Sequence, residues 1–176
     1  MLKMQIDELS PSSKSNPHRG SHLPVLMKLF GLTSGPIAEL GCGMYSTPYL
    51  HWACYPTCRP LTTFESQPAW FPFADQFQHD QHRIVHVADW STTPLTQPWA
   101  IALVDHDNLD SRQRCEEVAR LTHAEYVVCH DAENVSDHKY GYSRILSLFK
   151  HRWKYTDTKR HTLVLSNFHD LSEFTI

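Results

Sequence analysis

The densest clusters of titratable side chains lie in two short stretches, Asp105-His106-Asp107-Asn108 and Cys129-His130-Asp131-Ala132-Glu133, each at the end of a run of apolar residues. A histidine titrates near neutral pH and can take a proton from a hydroxyl, while a carboxylate beside it holds the ring in place. His106 or His130 therefore reads as a general base, with Asp105 and Asp131 as its positioning partners. The plainer use of such residues is to cap a following helix.

A second constellation is built for binding rather than for proton transfer. In Ile37-Ala38-Glu39-Leu40-Gly41-Cys42-Gly43-Met44-Tyr45-Ser46-Thr47-Pro48 a buried strand runs into Gly-x-Gly, and Ser46 or Thr47 caps a helix that opens at Pro48. Glycines here let backbone N–H groups approach a ligand closely; a tight turn that binds nothing is the bland alternative. Glu65 follows Gly41 by 24 residues and ends the run Leu61-Thr-Thr-Phe-Glu65, with Ser66 beside it. A carboxylate there can accept both hydroxyls of a ribose. Asp89-Trp90 ends a third run, and an acid beside an indole suits an adenine, one accepting from its amino group and the other covering its ring.

The elements that must hold these residues alternate. Short apolar runs at Ile37–Leu40, Leu61–Phe64, Ile84–Val87, Ala100–Val104, Tyr126–Cys129 and Thr162–Leu165 predict strands. A helical pattern begins after Ser21 and stops at Gly31, and further helices are predicted at about 47–57, 68–79, 110–122 and 138–150, the third starting at Asp110-Ser111. Strand–helix alternation means an α/β, Rossmann-like doubly wound sheet, mostly parallel. Residues 151–157 and 161–166 are separated by Thr158–Arg160 alone, too little chain for a crossover, so they must form an antiparallel hairpin. Residues 1–20 read as a flexible polar arm and 21–176 as one folded domain.

In that order, Glu39-Leu-Gly41-Cys-Gly43, Glu65, Asp89, Val104-Asp105-His106 and the terminal hairpin resemble the class I S-adenosylmethionine-dependent methyltransferases over about residues 22–167. Gly-Cys-Gly-Met-Tyr-Ser-Thr-Pro resembles the small members of that superfamily. The resemblance implies seven strands with a reversed C-terminal strand and S-adenosylmethionine (AdoMet) across the strand ends. Glu39, Gly41, Cys42, Gly43, Ser46 and Thr47 would then serve its methionine part, Glu65 and Ser66 the ribose, and Asp89 and Trp90 the adenine; Asp105 is a further cofactor contact. It implies methyl transfer to an oxygen, less readily a nitrogen, of a small-molecule or sugar-like acceptor. Some relatives hold Mg²⁺ at these two strand ends with an Asp-Asn pair; Asp131-Ala132 stands here instead, so a divalent metal is not favoured and no ligand is assigned. Tyr45 replaces a third small residue, and no Asn/Asp-Pro-Pro-Tyr/Phe motif follows the fourth strand. The segment through Ser21-His22 is expected to fold over the cofactor. A nicotinamide dinucleotide, or a non-catalytic nucleotide-binding module, is the alternative for the loop.

Composition narrows the partners. Lys+Arg 16 against Asp+Glu 19 gives a net charge of −3, unsuited to binding duplex nucleic acid by bulk attraction. The longest apolar run, Trp99–Val104, is far short of the roughly 20 residues a membrane helix needs, and five scattered cysteines suit a reducing cytoplasm. The stretch 150–160 carries Lys150, Arg152, Lys154, Lys159 and Arg160 against Asp157, either a solvated edge or a contact for an anionic ligand. His51, Cys54 and Cys58 share a predicted helix face but lack a fourth zinc ligand. Trp70, Phe71, Phe73 and Phe77 read as core or as a lip over the adenine.

Overall fold

The structure is a computed structural model and describes residues 17–107 and 113–176. The predicted start at Asp110-Ser111, Asn108 and most of the arm lie outside those residues.

Seven strands form one sheet: β1 (Ile37–Leu40), β2 (Leu61–Glu65), β3 (His82–His86), β4 (Ile101–Val104), β5 (Tyr126–Cys129), β6 (His151–Tyr155) and β7 (Thr162–Ser166). Their spatial order is β3-β2-β1-β4-β5-β7-β6. β1 to β5 pair in parallel, whereas β7 is antiparallel to both β5 and β6, so it alone is reversed. β1, β4 and β5 are buried at every position, as their unbroken apolar runs require. Successive residues feed opposite faces. Ile37, Leu61, Ile101, Leu103 and Val128 pack on one side with Val25, Leu26 and Leu29 of α1 (Leu23–Leu32). Ala38, Leu40, Phe64 and Val127 pack on the other with Trp90, Trp99 and Val118. The order turns back between β1 and β4, and open α/β sheets bind ligands at that switch point, outside the carboxyl ends of the strands.

The helices are shorter than their sequence patterns predict. α2 spans Ser46–Cys54 and is continued by a 3₁₀ turn, Tyr55–Thr57. α3 is only Phe71–Ala74, opened by Pro72 near its start and followed by a 3₁₀ turn at Asp75–Phe77. α4 is Arg114–Ala119, its start fixed by the Gln113 N–H, which donates to the Glu116 carboxylate at 3.3 Å. The stretch predicted helical over 138–150 is broken by Gly141 into α5 (Asp137–Tyr140) and a 3₁₀ segment, Tyr142–Leu148. Gly141 has φ +69°, and a Cβ there would lie 2.7 Å from Gln113 Oε1. β3 starts two residues before the apolar run that predicts it, because Arg83 pairs with Thr62 although it is exposed.

Candidate active site at the strand ends

The turn after β1 is pressed against the end of β4. Gly41 has φ +89°, and a Cβ there would lie 2.4 Å from His106 Cα and 2.5 Å from its nitrogen, so no other residue fits. Its N–H donates to Phe64 O at 2.8 Å, while Asp105 N–H donates to Leu40 O at 2.8 Å. Gly43 differs: a Cβ on it would meet only Ser46 Oγ, at 3.5 Å. The fold demands the first glycine and leaves open space above the second.

Below this loop Glu39 is completely buried. The Thr47 hydroxyl donates to it at 3.0 Å and the Thr63 hydroxyl at 2.6 Å. Thr47 Oγ1 in turn accepts from the Gly43 N–H at 2.9 Å, so this side chain bonds back into the loop instead of capping α2 forward, as the sequence suggests. Thr63 Oγ1 also meets His82 Nε2 at 2.8 Å, and His82 Nδ1 meets His51 Nδ1 at 3.0 Å. Because the Thr63 proton goes to Glu39, His82 Nε2 must be the donor to Thr63, which leaves its Nδ1 to accept from His51. Burial pushes the Glu39 carboxyl up to about 7, against the pull of the Ser46, Thr63 and Thr47 hydroxyls. Burial pushes His82 down to about 4. Glu39 thus braces the loop from inside, with both oxygens already committed.

Glu65 closes the loop from the β2 side. It accepts from Cys42 N–H on one oxygen and from the Ser66 and Gln67 N–H groups on the other, at 2.8, 2.8 and 2.6 Å. A carboxylate offers about four lone-pair sites. Capacity for one further donor remains. The Cys42 thiol lies 4.0 Å from Trp70 O, and burial raises its pKa. Asp89 uses its carboxylate on the Ser91 N–H and hydroxyl. Trp90 is a correction: it is 1 % exposed and lies in the core against the His106 ring, centroids 4.2 Å apart, with no open face for a purine. Phe71 stacks on His86 at 3.8 Å beside this edge of the sheet.

At the ends of β4 and β5 the two histidines part company. His106 is also corrected: it turns away from the cleft to Trp90 and Glu117, its Nε2 3.4 Å from the Glu117 carboxylate, and burial lowers its pKa. His130 stays at the strand ends. Its Nδ1 is 3.1 Å from Asp105 Oδ1, and its Nε2 is 2.9 Å from Ser21 Oγ. Burial disfavours a charge on either group, yet each outweighs it for the other: His130 and then Arg114 hold the Asp105 carboxyl far below the usual range, and Asp105 raises His130. Asp131, with φ 56°, is farther from the ring at 3.8 Å and is engaged by Arg160 at 3.1 Å and by the Tyr140 hydroxyl at 3.2 Å. Arg160 of the basic stretch is thus paired although exposed, and Arg152 and Lys154 lie exposed on the edge strand.

No family model and no curated protein matches the sequence. Solved structures match the fold. The methyltransferase domain of delta-N METTL16 has a TM-score of 0.60 at 13% identity, over 88% of this chain and 84% of that one. The N-methyltransferase NodS from Bradyrhizobium japonicum WM9, solved with S-adenosyl-L-homocysteine, has 0.59 at 12%, over 86% and 88%. Cofactor-bound Rv0187 from MTB has 0.59 at 17%, over 86% and 80%. The fold is that of the class I methyltransferases.

Within this methyltransferase fold three side chains escaped sequence reasoning. Ser21 and His22 precede α1, and the chain distance from Ser21 to His130 is 109 residues, so no local pattern could pair them. Arg114 opens α4 and is 2 % exposed. It donates to the His106 and His130 carbonyls at 2.6 and 3.3 Å, sits 3.2 Å from Asp105 and lies 4.0 Å over the Tyr140 ring. Among the described residues no helix is long and apolar enough to cross a membrane.

Proposed function

We propose that this chain transfers the methyl group of AdoMet to an oxygen, with nitrogen second, of a small-molecule or sugar-like acceptor. One observation carries the reading: His130 already has a hydroxyl on one ring nitrogen and an ionised carboxylate on the other. Asp105 can only accept, so Nδ1 carries the ring proton and Nε2 accepts from a hydroxyl, the tautomer a base requires. Ser21 Oγ marks where an acceptor hydroxyl would stand, or the relay through which its proton would pass.

AdoMet fits the loop by two features: the free space above Gly43 and the unused acceptor site on Glu65. It supplies an electrophilic methyl group on a sulfonium. As the acceptor oxygen bonds to that carbon and the carbon–sulfur bond breaks, His130 Nε2 takes the hydroxyl proton. Asp105, kept anionic by Arg114, stabilises the imidazolium. Arg160 is bound back to Asp131 and the net charge is −3, which supports a small acceptor over a polyanion track, although the METTL16 catalytic domain has been solved with an RNA hairpin.

Calorimetry of the full chain with AdoMet and S-adenosylhomocysteine tests the cofactor. Glu65→Gln is expected to weaken binding about tenfold, a loss of one charged hydrogen bond. His130→Gln is expected to keep the binding and lose about a hundredfold or more of label transfer from methyl-labelled AdoMet to a hydroxyl-acceptor panel. Absence of binding heat overturns the reading; binding without transfer to any acceptor leaves only the nucleotide-binding module.

A further inference from the structure

His22 has no role in the methyl-transfer scheme, and its surroundings are unusual. It is 1 % exposed, and neither ring nitrogen has a hydrogen-bond partner among the described residues. A buried polar group left in this state costs about 1–3 kcal/mol. The ring meets the edge of His130, centroids 4.6 Å apart at 74°, so it is aimed at the His130–Asp105 pair and not into an apolar pocket. One donor atom from each of His22, Asp105 and His130 lies within 4.8 Å of the other two.

We propose that His22, His130 and Asp105 bind a divalent transition-metal ion, with zinc as the fitting case. Two imidazoles and one carboxylate suit zinc or ferrous iron, whereas magnesium and calcium prefer all-oxygen sets. Donors about 2.1 Å from a tetrahedral ion stand about 3.4 Å from one another. The His130–Asp105 separation of 3.1 Å already meets that spacing, and His22 need only close by a side-chain rotation. Arg114 on Asp105 and Tyr142, whose hydroxyl donates to the His130 carbonyl at 3.0 Å, fix the two ligand-bearing strand ends from behind. Three protein ligands leave a fourth position open. The ion would tie the segment before α1 to the ends of β4 and β5, and it would lower the pKa of a hydroxyl on the open position, whose proton would then pass to solvent instead of to imidazole.

The site shares side chains with the methyl-transfer reading but is tested without it. Metal-stripped full-length protein is titrated with Zn²⁺ in a calorimeter and with Co²⁺ in a spectrophotometer. One tight site is expected, with tetrahedral or five-coordinate cobalt bands and no thiolate charge-transfer band. His22→Ala is expected to weaken zinc by more than the roughly 10–100-fold that loss of an outer-shell partner costs. His123→Ala, on the surface, is expected to change nothing. Circular dichroism of His22→Ala checks its fold, and if it fails to fold, the wild-type cobalt spectrum decides alone. Equal zinc affinity in His22→Ala, thiolate ligation, or no site tighter than surface histidines provide overturns the proposal. AdoMet calorimetry on the same stripped sample separates the cases: heat with AdoMet but no metal site defeats this inference only, and the reverse defeats only the methyl-transfer reading.

Discussion

Glu39 and Asp105 each stand at or beside a strand end next to the Gly41 turn, and each bonds to a histidine network, yet they are held in opposite states. Among the described residues Glu39 has hydroxyl partners, Ser46, Thr47 and Thr63, and no cation; burial carries it to about 7. Asp105 has the Arg114 guanidinium at 3.2 Å and His130 at 3.1 Å, and stays anionic well into acid. Hydroxyls satisfy a carboxylate's lone pairs without repaying the loss of water around its charge; a guanidinium does both. The first network is suited to brace a loop, and the second to keep a negative charge beside a base.

The sharpest way to break this contrast is Arg114→Met, which keeps bulk and removes the cation. Asp105 and Asp131 are then left without their buried counter-charge, and a loss of about 3–5 kcal/mol in urea unfolding is expected. A loss below about 1 kcal/mol would mean that Arg114 does not set the state of Asp105.

Glu39→Gln comes next. A carboxyl at its ordinary 4.5 when unfolded and about 7 when folded makes the folded chain hold more protons in that window. Its contribution to stability is therefore greatest in acid and declines as pH rises from 4.5 to 7. The variant lacks this decline, so its stability relative to wild type should improve by about 3 kcal/mol between pH 4 and pH 8. Parallel curves for the two proteins would show that Glu39 stays ionised. The smallest effect is expected of Thr63→Val, which deprives Glu39 and His82 of their shared hydroxyl. It should cost about 1–2 kcal/mol at pH 7 by thermal unfolding, with the Glu39→Gln pH difference growing in that background.

What the sequence made legible was the frame. Apolar runs in fixed order located six of the seven strands, and the stretch 151–157 with its short link to the next run located β6 and required the hairpin. Gly41 and Glu65 could be picked out because a strand end tolerates few reasons for such residues. The site itself was half legible. Asp105 and His106 are adjacent, and successive residues leaving a strand face opposite sides, so only one could face His130; the pattern gave no way to say which. Trp90 went to the core for a similar reason, as the turn capped by Asp89 rotates the indole inward. Ser21, His22 and Arg114 depend on contacts between distant segments that local spacing does not encode. Helix lengths were overread because apolar spacing persists through the 3₁₀ turns that follow Ala74 and Gly141.

β7 separates β5 from β6 in the sheet although it follows both in sequence. During synthesis β6 leaves the ribosome first but has no neighbour to zip onto until residues 162–166 follow, and β5 meanwhile shows a bare edge of unpaired amides. A chain made only as far as residue 161 would therefore carry His130 on a strand open to adhesion with other nascent polypeptides, and the sheet locks only once residues 162–166 have emerged.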